Sequence, residues 1–82
     1  MPRQFEHVIK EWELRWRRLF FGSRISSEKR FTLKIGYDEI MQVKADNQGR
    51  IWVGEPIRQL TAGTKYLIVI NDSEDEVTIN FP

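Results

Sequence analysis

The apolar residues of this chain change their period part-way along, and that change limits the folds open to it. Phe5, Val8, Ile9, Trp12, Trp16, Leu19 and Phe20 recur at the 3.6-residue spacing of one helical stripe. From Phe31 onward the period is two: Phe31, Leu33, Ile35 and Tyr37 alternate with polar or small residues, and Met41, Val43 and Ala45 continue the alternation. The expected fold class is therefore α+β. An amphipathic helix over residues 4–21 packs on a small antiparallel β-barrel or sheet formed by residues 31–82. Glu6–Lys10, Glu11–Arg15 and Glu13–Arg17 have the order that supports a helix, and Gly22 is a natural stop. Leu14 and Phe21 fall on the opposite side of the stripe. Residues 22–30 are a polar, basic loop, the main internal boundary of one domain spanning 1–82.

Turn chemistry sets the later elements. Turns are expected near Gly36–Glu39, at Asp46–Gly49 and at Asn71–Asp75. The strands between them are Arg50–Val53, Tyr66–Ile70 as a central strand, and Val77–Phe81. Residues 54–63 are irregular, with room for one helical turn near Pro56–Leu60.

Size and composition exclude several function classes. An 82-residue domain buries only roughly 60–65% of the surface its unfolded chain exposes. Disulfides and cysteine metal sites are excluded because cysteine is absent, and a single histidine excludes a histidine cage. Oligomerisation is the remaining support, so a homodimer is expected. No apolar run approaches the roughly 20 residues of a membrane span. The first residues lack the pattern of a signal peptide, so the expected location is cytoplasmic, with no membrane partner.

Chemistry-bearing residues are few. His7, off the helical stripe, reads as a solvated side chain rather than a general base. Asp72, Glu74, Asp75 and Glu76 crowd one turn without the spacing of a calcium loop and read as a solvated, edge-protecting hairpin turn. A non-enzyme with no cofactor and no metal is expected. Residues 1–34 hold nine Lys/Arg against four Asp/Glu, and residues 35–82 hold four against eight. That polarity can suit an acidic partner at one end, and Arg15, Arg17, Arg18, Arg24, Lys29 and Arg30 could contact nucleic acid. Trp12 and Trp16 lie on the stripe taken as buried, so base stacking by them is not expected. Phe5, Trp12, Trp16 and Phe20 read as intramolecular core.

From Met41 to Phe81 the chain resembles the AbrB/MazE/VapB swapped-hairpin family of small DNA-binding proteins. The resemblance is carried by Asp46, Gly49 and Arg50 in the turn, Ile57 and Arg58 at the family's distance from it, and Gly63 and Lys65 leading into the next strand. Gly54 stands where the family usually carries Pro, and some forty residues precede the unit. The resemblance implies an interleaved homodimer, a transcription regulator or antitoxin. Arg50 and Arg58 would then contact duplex DNA, with Lys44 as a phosphate contact. The alternative is a protein-interaction module or complex subunit with an SH3-like barrel. It would bind a protein partner through an apolar patch around Trp52 and Leu14, whereas in the regulator reading the helical stripe with Trp12 and Trp16 could dock a toxin. An RNA-binding barrel would need Tyr37, Trp52 and Tyr66 exposed on its sheet.

Overall fold

In a computed structural model, which describes residues 3–37 and 39–82, the N-terminal stripe is not one helix. It divides into strand β1 (Arg3–Val8), a six-residue helix α1 (Glu11–Trp16) and a short strand β2 (Arg18–Phe20). The reason is visible in the spacing. Phe5 and Ile9 share a face whether the period is 3.6 or two. Val8 separates the two cases: it is 38% exposed, while His7 and Ile9 are buried. Likewise Leu19 and Phe21 are buried and Phe20 is outside. The helix ends at Arg17, whose backbone is left-handed at φ 56°. Gly22 instead begins a 3-10 turn, Gly22–Arg24. The expected Glu13–Arg17 helical pair is replaced: Glu13 turns inward and Arg17 pairs with Glu55.

The remaining elements follow the alternation closely. They are β3 (Arg30–Ile35), β4 (Glu39–Lys44), β5 (Arg50–Trp52), a 3-10 turn over Glu55–Gln59, β6 (Lys65–Asn71) and β7 (Glu76–Asn80). Asp38, in the expected turn at 36–39, lies outside the described residues, as do Met1 and Pro2. The sheet is open rather than a closed barrel, and it is mixed rather than antiparallel. Five strands lie in the order β1-β6-β7-β3-β4, and β2 and β5 form a separate two-stranded sheet. β3 and β7 run parallel, with Leu33 beside Val77 and Ile35 beside Ile79. The pairings β1–β6 and β2–β5 tie the first twenty residues to the last half of the chain.

One face of the five-stranded sheet is apolar. Phe31, Leu33 and Ile35 of β3, Val77 and Ile79 of β7, and Tyr66, Ile68 and Ile70 of β6 form it, all buried. Leu19, Phe21, Ile51, Val53 and Ile57 belong to the same buried cluster, so β2, β5 and their flanking turns close that face. The expectation for Tyr66 as an exposed stacking residue is corrected: it is 3% exposed, and its hydroxyl accepts the Thr61 N–H. β6 is central, yet its outward residues alternate with its inward ones, and Leu67 is half-exposed.

The Asp46–Gly49 turn forms as its residues suggest. Asp46 Oδ1 accepts the N–H groups of Gln48 and Arg50, and Oδ2 accepts Arg50 Nε at 2.7 Å. The Arg50 N–H, followed by that of Gln48 and by the Arg50 guanidinium, holds the carboxyl down at about 2 despite its partial burial. A depressed carboxyl contributes stability that is complete above its unfolded value of 3.8 and is lost as pH falls toward 2. Stability measured by urea unfolding should therefore decline from pH 4 to pH 2, and Asp46→Asn should flatten that part of the profile. A profile unchanged by the substitution would remove the role given to this carboxylate.

Gly49 needs to be glycine on two counts. Its φ is +77°, and a Cβ there would stand 2.1 Å from the carbonyl oxygen of Gly22. The Gly49 carbonyl accepts the Phe21 N–H at 3.0 Å, so the two backbones are locked in contact. Gly49→Ala should cost about 2 kcal/mol or more in chemical denaturation. A loss below about 0.5 kcal/mol, within the range of ordinary surface changes, would refute this account.

Candidate functional site

The candidate site is an aromatic and cationic face built by α1, β2 and β5. In the β2–β5 pair, Arg18 stands opposite Trp52, Leu19 opposite Ile51 and Phe20 opposite Arg50. Strand alternation puts Leu19 and Ile51 in the core, where both are fully buried. Arg18, Phe20, Arg50 and Trp52 therefore share the outer face. Trp12 and Trp16, four residues apart on α1, share one side of that helix. Trp12 meets Phe20 edge-on, with ring centroids 6.2 Å apart. Trp12, Trp16, Phe20 and Trp52 are 46%, 64%, 38% and 61% exposed, which is far from the buried core expected for Trp12, Trp16 and Phe20. Of that group, Phe5 alone packs against the core. An open cleft of about 320 Å³ runs between Trp12, Trp16, Arg18, Phe20 and Arg50.

The face is anchored from behind by a buried carboxylate. Glu13 is fully buried, and its oxygens accept the N–H of Lys10 at 2.9 Å, the N–H of Phe20 at 2.9 Å and His7 Nε2 at 2.9 Å. Arg24 Nη2 lies 3.2 Å from His7 Nδ1. A guanidinium can only donate, so Nδ1 accepts and the imidazole carries its proton on Nε2, toward Glu13. The solvated histidine expected from the sequence is instead buried, with both ring nitrogens occupied. Burial pushes the Glu13 carboxyl up, but hydrogen bonds from His7, Phe20 and Lys10 together outweigh it and hold the carboxyl below its ordinary value. The Arg24 guanidinium also lies 4.3 Å from the Phe5 ring centroid and donates to the Phe21 carbonyl. This network fixes α1 against β1 and β2.

The far side of the face is set by residue 17. Its carbonyl accepts the N–H groups of Val53 and Gly54, at 2.8 and 3.2 Å. The Trp52 ring lies over Gly54, where a Cβ would stand 2.9 Å from it. Glu55 pairs with both Arg17 and Arg58.

The residues expected to bind a partner are only partly brought together. Trp12, Trp16 and Trp52 lie on this face, while Leu14 is half-buried against the core. Of the expected DNA contacts, Arg50 lines the cleft. Lys44 lies at the edge strand β4 in a separate cleft with Arg30, Gln42 and Val43, and Arg58 stands on the turn after β5, exposed and paired with Glu55. Tyr37 is fully exposed beside the turn after β3. Phe20, expected in the core, and Arg18, expected only among the cations of a nucleic-acid surface, join the cleft. The signal for them was the short alternation of residues 18–21, hidden inside the longer helical stripe.

Three carboxylates of the acidic turn are ion-paired: Asp72 meets Arg3, Asp75 meets Lys29 and Glu76 meets Lys34. Among the described residues no group of three or more His, Asp or Glu side chains converges as metal ligands, and no helix is long and apolar enough to cross a membrane. No family model, curated protein or solved structure matches the chain.

Removal of the Glu13 carboxylate leaves two backbone N–H groups and His7 buried without their acceptor. Glu13→Ala should cost roughly 3 kcal/mol or more in urea unfolding, and Glu13→Gln should destabilise as well, because its NH2 group would face a buried N–H donor. A loss below about 1 kcal/mol for the alanine variant would show that α1 is held by other contacts.

Proposed function

We propose that this chain is a non-enzymatic protein-interaction module that docks a partner segment on the Trp12–Trp16–Phe20–Trp52 face. The observation that carries this reading is the grouping of four exposed large aromatics, two of them from adjacent strands and two from one helix side, on a backbone held in place by Glu13 and Arg17. Exposed apolar patches of this kind cost solubility and mark sites that a partner covers. Trp and Arg are also the residue types that carry most of the energy in protein interfaces. Rigid aromatics lose little side-chain entropy on contact, so the pre-set face favours affinity.

The regulator implied by the swapped-hairpin resemblance would use Arg50, Arg58 and Lys44 on DNA. Two cations near this face, Arg17 and Arg58, are already paired with Glu55, and Arg50 gives one of its nitrogens to Asp46. The net charge is only +1. A phosphate-tracking surface gains its affinity from unpaired cations, which favours protein over nucleic acid as the partner.

The three indole N–H groups report directly on the face. Twelve-residue peptides selected from a random displayed library against the full chain should shift the indole signals of Trp12, Trp16 and Trp52 in two-dimensional NMR. Trp16→Ala should weaken their binding by at least about tenfold, the loss expected for one interface anchor. Failure of every selected peptide to move the indoles would overturn the reading. So would tight, salt-dependent binding of oligothymidylate or duplex DNA at the same signals with no peptide binding, which would make nucleic acid the partner.

A further inference from the structure

We infer that the cleft between Trp12, Trp16, Phe20, Arg18 and Arg50 is a recognition site for an apolar side chain flanked by carboxylates, so that the docked partner is an acidic protein segment. The inference rests on the docking function proposed above and adds the chemistry of the occupant.

Two guanidinium groups border the cleft, and each retains donors. Arg50 uses Nε on Asp46, and its terminal nitrogens make no hydrogen bond to another described residue. Arg18 takes part in none of the ion pairs among the described residues. The two are diagonal neighbours across the β2–β5 pair, an arrangement in which residues stand about 7–8 Å apart. Arginine side chains are long enough to converge on one carboxylate from that separation, and the planar fork binds it in a bidentate manner. Both are half-buried beside aromatic rings, where a charge-assisted hydrogen bond is screened less than on open surface.

The floor of the cleft selects the other half of the ligand. Its aromatic lining favours an apolar or aromatic side chain, and about 320 Å³ lies at the small end of ligand clefts, which run from roughly 300 to 1,000 Å³. A segment presenting one bulky residue fits it better than a folded surface. A second copy of this chain is a poor occupant, because a twofold contact over this face would bring Arg18 and Arg50 toward the arginines of the copy. A phosphate is also disfavoured: its two charges would sit beside the Asp46 carboxylate that already holds Arg50. A single carboxylate carries half that charge.

The test uses two synthetic twelve-residue peptides on the full chain. One carries a central Phe with Glu on both sides, and the other has Gln in place of each Glu. Affinity is read from the indole N–H shifts. The acidic peptide should bind at least about tenfold more tightly than its amide counterpart. Arg18→Gln, and separately Arg50→Lys, should bring the ratio to within about twofold. The lysine variant keeps a cation beside Asp46 and so preserves the turn. Lys65→Gln, which removes one charge on the exposed start of β6, should leave the ratio unchanged. Equal affinity of the two peptides for the native chain would overturn the inference and leave the docking function standing. A ratio that survives both arginine variants, or that falls as much in Lys65→Gln, would overturn it as well. Indole signals indifferent to both peptides and to library-selected peptides would overturn the docking function together with the inference.

Discussion

The hydrogen bonds to the buried Glu13 carboxylate are the constraint on which the N-terminal third of the structure depends. A charged group with no exposure is tolerated only when its oxygens are satisfied, and here two backbone N–H groups and an imidazole do so. Those donors come from the start of α1, from β2 and from β1. One carboxylate therefore joins three elements that share no other regular hydrogen bonding. Arg24 completes the arrangement by holding the far nitrogen of His7. The network is fully satisfied, which is the condition under which buried polar groups make a structure rigid.

That rigidity explains how the chain can display its aromatics. A six-residue helix is too short to persist alone. Fixed by Glu13 at its first turn and ended by the left-handed Arg17, it holds Trp12 and Trp16 beside the outer face of β2 and β5. The same Arg17 carbonyl binds the N–H groups after Trp52. Both halves of the aromatic face are therefore referenced to adjacent points on the backbone. The largest apolar side chains of the chain are divided between two tasks. Phe21, Phe31 and the aliphatic residues build the core, while all three tryptophans remain outside it.

The charge pattern has a similar division. Three of the four acids of the hairpin turn pair with cations from β1, β3 and the basic loop. The asymmetry between the two halves of the chain is thus largely consumed inside the fold and does not create one strongly basic surface. Arg18 and Arg50 keep free donors because they stand on an outer strand face where, among the described residues, no carboxylate other than Asp46 pairs with them. The charge that remains for a partner is local.

The alternation from Phe31 to Ala45, the Asp46–Gly49 turn, the helical turn after β5 and the final hairpin could all be read from the residues. In each case the determinant is local: side-chain period for strands, positive φ and carboxylate capping for turns. The first twenty residues could not be read in the same way. Spacings of four residues, such as Phe5 to Ile9, suit a helix and a strand equally, and the choice was made by partners sixty residues away in β6 and thirty away in β5. With residues 3–8 paired to β6 and residues 18–20 to β5, Val8 and Phe20 face outward and the stripe is no longer one face. Trp12, Trp16, Trp52 and Arg50 were recognisable as candidates from their types, but their meeting with Arg18 and Phe20 was not. The sequence alone determined a small β-rich domain with its turns and most of its core. Tertiary structure decided which aromatics were buried and which formed a surface, because strand pairing between distant segments, unlike a helix or a turn, is settled by contacts that no local pattern contains.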